Sequence, residues 1–195
     1  MSQQYSTQNS LLLNKLMKFY SMENNKRLDT ILPIINGESP ISLRLVDWYA
    51  TNYTKKYFTV LQIKDKRGFI KRFKVYNDYK LQLKAHSKKR FDPFCRWERI
   101  NFPYKDDCYV QTTIGQLNFF KWLLENGILA DIEKNLENIE NDMNQRNSTS
   151  KKKVGKKKNG KEVESKTSRK KREELSISAT KSIKKEQIKI VVRFD

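Results

Sequence analysis

SKKRFDPFCRWERINFPY, residues 87–104, carries five basic side chains (Lys88, Lys89, Arg90, Arg96, Arg99) and five aromatic rings (Phe91, Phe94, Trp97, Phe102, Tyr104). Interleaved cations and rings suit base stacking with phosphate contact. They also suit a small core whose rings point inward and whose charges point out, because aromatic side chains supply much of such a core's area. Phe91, Phe94, Trp97 and Phe102 follow one another at intervals of three, three and five residues. That spacing fits one buried face, so the stretch reads as core rings with a basic rim, architecture first and binding surface second. Cys95 then reads as a small buried apolar residue. The rim, Lys88, Lys89, Arg90, Arg96 and Arg99, is the candidate polyanion surface of the folded part.

On the N-terminal side, Leu43, Val46, Ala50 and Tyr53 recur at helical spacing behind Ser39-Pro40, predicting a helix over about 40–54. YFTVLQI (57–63) and FIKRFKV (69–75), joined by a turn ending in Gly68, predict a β-hairpin. Asn77 or Asp78 caps a further helix that Asp92-Pro93 must end. On the C-terminal side a loop around Phe102-Pro103 leads to Thr113-Ile-Gly-Gln116, a capping box. The helix it opens carries Leu117, Phe120, Leu123 and Leu124, with Gly127 placed as its C′ residue. Ile128, Ile132, Leu136, Ile139 and Met143 form a second stripe flanked by Glu133, Glu137 and Glu140. Together these predict a helical hairpin with an acidic outer face.

The ends differ in kind. Residues 1–39 read as an N-terminal arm with one short amphipathic helix, SLLLNKLMKFYSM, and the turn NGESP (36–40) as the start of the compact domain. Residues 144–186 have almost no large apolar side chain, which predicts a disordered basic tail. Residues 187–195 alternate Ile188, Ile190 and Val192, which predicts a terminal strand pairing with the domain's own sheet or docking on a partner's. The fold class is therefore α+β: a small, mostly helical domain over 40–143 with a β-hairpin and a C-terminal helical hairpin.

Charge is lopsided: 41 Lys and Arg against 22 Asp and Glu give +19. Residues 41–105 carry +12, 106–143 carry −6 and 144–195 carry +12. Such a balance points to a polyanionic partner, nucleic acid or an anionic surface. In the tail, Lys151, Lys152, Lys153, Lys156, Lys157, Lys158 and Arg169, Lys170, Lys171, Arg172 form three clusters suited to phosphate contact, against the plainer reading of a solubilising or localisation segment. The acidic hairpin could also hold this tail in cis, although exposed pairs of this kind contribute little each.

Catalytic and metal chemistry is not expected. Gly155 to Lys161 spells GxxxxGK, but Glu162 stands where a phosphate-binding loop needs Ser or Thr, and no hydrophobic strand precedes it. His86, the one histidine, lies among lysines. Two cysteines, Cys95 and Cys108, with one histidine fall short of a usual zinc ligand set and force no disulfide. Asp65 with Lys66 reads as a solvated turn. No run approaches the ~20 apolar residues of a membrane helix, and no signal peptide is evident. No cofactor is expected.

Three segments, ISLRLVDWYATNYTKK (41–56), VYNDYKLQLKAHSKKRFDPFCRWERINF (75–102) and TTIGQLNFFKWLLENGIL (112–129), resemble an uncharacterised protein family of large nucleocytoplasmic DNA viruses, the giant-virus and algal-virus group. The resemblance covers about 40–143 and brings no catalytic residue or cofactor. It implies a context: the virion, or the virus factory in the infected-cell cytoplasm, with the nucleus as an alternative. The expected function is a non-enzymatic virion structural protein, minor-capsid or core-associated. Its domain would dock on other virion proteins while the tail contacts nucleic acid or acidic partners. The alternative is a nucleic-acid-binding factor of viral replication, transcription or packaging. The oligomeric state is not legible.

Overall fold

The structure, a computed structural model, describes residues 7–64, 68–105, 108–155 and 185–187, with the backbone alone for Glu23, 147–155 and 185–187. In chain order come α1 (Gln8–Ser21), a 3-10 turn (Met22–Asn25), α2 (Lys26–Asn36), α3 (Leu43–Trp48), a π-helical turn (Tyr49–Tyr53) and α4 (Thr54–Lys56). Then follow β1 (Val60–Lys64), β2 (Ile70–Lys74), α5 (Val75–Arg90), β3 (Ile100–Pro103) and β4 (Cys108–Thr112). The chain continues as α6 (Ile114–Glu125), α7 (Ile128–Lys134), α8 (Leu136–Gly155) and β5 (Lys185–Gln187). This is the α+β, mostly helical arrangement that the periodicities indicate.

Helix α6 is the centre. Thr113 caps it by accepting from the Gln116 N–H at 3.1 Å, and Gly127, at φ +63°, takes the left-handed position after Asn126. The Gln116 amide does not complete the box by reaching back to Thr113. It donates to the Pro93 carbonyl and accepts from the Thr112 hydroxyl, both at 2.9 Å and both buried. The helix is buried on nearly every side through Leu117, Phe119, Phe120, Trp122 and Leu123. Gly115 lets α5 end directly on it, since a Cβ there would lie 2.9 Å from the Lys89 carbonyl oxygen.

The domain does not begin at residue 40. Leu16 and Tyr20 of α1 and Leu28, Ile31, Ile34 and Ile35 of α2 belong to the same core as α6, and the Tyr20 hydroxyl donates to the Leu117 carbonyl at 2.7 Å. The N-terminal arm is thus corrected to two core helices. Pro33 inside α2 removes one backbone donor, but the buried apolar stripe offsets it. The predicted helix at 40–54 begins later, capped by Ser42 rather than Ser39, and runs on through the π turn to Lys56.

Two antiparallel sheets form. β1 pairs with β2 in the register Val60↔Lys74, Gln62↔Arg72, Lys64↔Ile70, as the sequence pattern indicates. β3 pairs with β4 where a loop was expected, burying Phe102 against Val110, and β5 adds to β4 with Cys108 opposite Gln187. Residues 188–195, and with them Ile188, Ile190 and Val192, lie outside the described residues. At the other end of the acidic arm, α8 runs twelve residues past the compositional boundary at 143, to Gly155. Unbranched Gln145, Arg146 and Lys151 to Lys153 are good helix formers, and a helix already nucleated by its packed first turns propagates cheaply into them. No described helix is long and apolar enough to cross a membrane.

Candidate nucleic-acid interface

Of the five rings in 87–104, Phe91, Phe94 and Phe102 are buried and Tyr104 is half-buried with its hydroxyl on Asp29. Cys95 is buried as well, and burial pushes its thiol pKa up. Trp97 departs from the pattern and stands 44% exposed. No regular helix or strand runs through residues 91–99, so the three-residue spacing that holds for Phe91 and Phe94 does not extend to Trp97.

The rim cations are largely engaged inside the fold. Arg96 gives Nε and Nη2 to the two oxygens of Asp92, each at 2.8 Å, and the Asp92 side chain is 4% exposed. This bonding raises the Arg96 pKa further. Arg90 donates to Asn9 and Gln8 of α1, both at 2.7 Å, and Arg99 to Gln111 at 3.0 Å. Arg96 and Arg99 keep exposed surface beside these bonds, whereas Lys88 and Lys89, beyond the break at Ser87 (φ +57°), are exposed and make no side-chain hydrogen bond or ion pair among the described residues. Of the tail residues, Lys151, Lys152 and Lys153 fall on the backbone of α8. Lys156, Lys157, Lys158, Arg169, Lys170, Lys171 and Arg172 lie outside the described residues.

A different cationic surface emerges on the β1–β2 hairpin. Strand alternation turns Leu61, Ile63 and Phe73 toward the core and leaves Val60, Gln62, Lys64, Ile70, Arg72 and Lys74 on the outer face, all exposed. Three cations share this face with no carboxylate among the described residues. Lys80 and Lys84, one turn apart on α5, are exposed too. Among the described residues none of Lys64, Arg72, Lys74, Lys80 and Lys84 sits in an ion pair. In this register each cation faces an uncharged residue, Lys74 opposite Val60, Arg72 opposite Gln62 and Lys64 opposite Ile70, so no cross-strand partner neutralises them. The alternation is legible in FIKRFKV, but the pairing state of its cations is not.

The acids of the 106–143 arm serve the fold in part. Asp142 accepts from Trp48 Nε1 at 3.0 Å and from Lys56 at 2.5 Å, and Asp131 accepts from the Tyr49 hydroxyl at 2.5 Å. Burial pushes the Asp142 carboxyl up, but these donors outweigh it and hold its pKa below the ordinary carboxylate value. Burial first, then Asp131, raises that of Tyr49. Glu133, Glu137 and Glu140 remain exposed on the outer face.

His86 lines a groove of about 430 Å³ with Lys15, Lys71, Lys121, Asp78 and Glu125. Its carboxylates are occupied, Glu125 by Lys121 at 2.6 Å and Asp78 by Trp122 Nε1 at 2.7 Å. The imidazole stacks on Phe91, and burial, then Arg90, Lys121 and Lys15, lower its pKa. Among the described residues no three His, Cys, Asp or Glu side chains gather as a metal-binding group.

Fold and surface thus define a small basic α+β domain with a cationic hairpin face that no described carboxylate pairs. The whole chain, residues 1–195, matches the family of unknown function DUF7197, and the protein belongs to that family. A relative in Acanthamoeba polyphaga mimivirus, named uncharacterized protein L507, is 44% identical over 158 residues. The match covers 78% of this chain and 59% of the relative, so the chain spans well under two thirds of it. The resemblance to an uncharacterised family of large DNA viruses holds on this relative. No solved structure matches.

Proposed function

We propose that this is a non-enzymatic viral nucleic-acid-binding protein that grips the phosphate backbone with the outer face of its β1–β2 hairpin. The observation that carries the reading is that face: Lys64, Arg72 and Lys74 exposed together without a carboxylate or an ion pair among the described residues. A two-stranded ribbon fits a major groove, and the basic C-terminal clusters would add sequence-independent contacts. The test is fluorescence anisotropy of labelled duplex DNA with the full chain. Lys64→Gln/Arg72→Gln/Lys74→Gln should weaken binding more than about tenfold at low salt. A control removing three charges elsewhere, Lys18→Gln/Lys26→Gln/Lys134→Gln, should weaken it far less. Equal losses would reduce the effect to net charge and sink the reading.

A second reading has its own observation. Phe58, in the turn before β1, is 85% exposed at φ +50° and Ile70 of β2 is 65% exposed, so the hairpin and its approach also present large apolar side chains, one in strained left-handed backbone. That favours docking on another virion protein, as a minor-capsid or core-associated component would. Proteomics of purified particles decides it: absence at high coverage removes the virion reading.

A further inference from the structure

Trp97 is the ring of the 87–104 stretch that the core leaves outside, and its surroundings suggest why. Among the described residues its ring stacks on no other ring, and its indole N–H meets no acceptor. It lines a notch of about 150 Å³ with Lys89, Arg90, Glu98, Ile100 and Asn9. That is room for roughly five waters at about 30 Å³ each, and well below the about 300–1,000 Å³ of a site for a drug-sized ligand. A half-exposed π face beside an exposed ammonium fits a flat ring joined to an anion. The chemistry is a nucleobase and its phosphate.

We infer that Trp97 is a stacking platform for an unpaired base of single-stranded nucleic acid, with Lys89 on the adjoining phosphate. The inference rests on the nucleic-acid reading above and deepens it by naming the strand form. A base inside a duplex keeps both faces stacked on its neighbours, so this notch selects single strands or frayed ends. Glu98 opposes phosphate from inside the notch, and its neutralisation should tighten binding. A protein partner could also use an exposed Trp. The surrounding charge favours the polyanion, since Lys89 and Arg90 line the notch against Glu98 alone.

The experiment titrates a short oligothymidylate into the full chain while following tryptophan fluorescence. Trp48 donates to Asp142 and Trp122, which is buried, donates to Asp78, so the exposed indole that can report stacking is Trp97. The expected result is quenching by the single strand that Trp97→Leu abolishes. The same variant should lose roughly five- to hundredfold in single-strand affinity while keeping its duplex affinity and melting temperature. Glu98→Gln should bind the single strand more tightly. Unchanged single-strand affinity in Trp97→Leu, an equal loss on duplex, or no quenching overturns the inference. The two readings fail separately. A single strand that depends on Lys64, Arg72 and Lys74 but not on Trp97 sinks only the stacking platform. Dependence on Trp97 without the hairpin sinks only the hairpin grip, and no binding at all sinks both.

Discussion

Arg96 shows how a residue type misleads when its partner is unseen. In sequence it is one more cation between two rings; in the fold it neutralises Asp92, whose side chain is 4% exposed. Arg96→Ala leaves that carboxylate without its cation, and the expected cost is about 1–3 kcal/mol, discounted because the guanidinium itself is partly exposed. Chemical denaturation measures it. Duplex DNA affinity should stay within about twofold, whereas a nucleic-acid-binding rim at Arg96 would lose more. Trp97 errs in the opposite direction. The sequence spacing puts it in the core, while the irregular backbone of residues 91–99 leaves it outside. The Arg96 case turns on Asp92, an acid whose burial nothing in its immediate sequence announces.

At the scale of elements, strong local chemistry was legible and interrupted chemistry was not. The Thr113 cap and the β1–β2 alternation stand in the sequence as they stand in the fold. Helix α2 was hidden by Pro33, and the β3–β4 hairpin by Pro103 with Asp106-Asp107, because each breaks the pattern that its element needs. The contact of α5 with α6 depends on Gly115, where an added methyl would meet the Lys89 carbonyl oxygen at 2.9 Å. Gly115→Ala should lower stability by about 1–3 kcal/mol, read as a fall in melting temperature. A second element-scale prediction concerns α8, which Asp142 fastens to the end of α3 and to α4 through Trp48 and Lys56. The folded pKa of Asp142 lies below its unfolded value, so its contribution is fully present above the ordinary carboxylate range. That contribution disappears as pH falls from about 4 through the lowered folded pKa. Asp142→Asn should flatten the acid limb of stability against pH, and an unchanged limb would contradict the latch.

For the whole molecule, the core reaches from α1 to α8 and includes what composition set aside as an arm. Leu16→Ala should therefore cost about 2–5 kcal/mol, which calorimetry would show as a lower melting temperature for the entire domain. A detachable arm would leave that transition unmoved. Charge is segregated on the same scale: the acids at Asp131 and Asp142 are drawn into internal bonds, while the hairpin cations are left outward. The polyanion preference was legible in the net charge, but its location depends on which cations the fold neutralises, and only long-range partners decide that. The most direct test is the slope of log affinity for duplex DNA against log salt, for the full chain and for Lys64→Gln/Arg72→Gln/Lys74→Gln. Three lost phosphate contacts should make the slope shallower by about 2.7. Parallel slopes for the two proteins would contradict the hairpin as the site of contact.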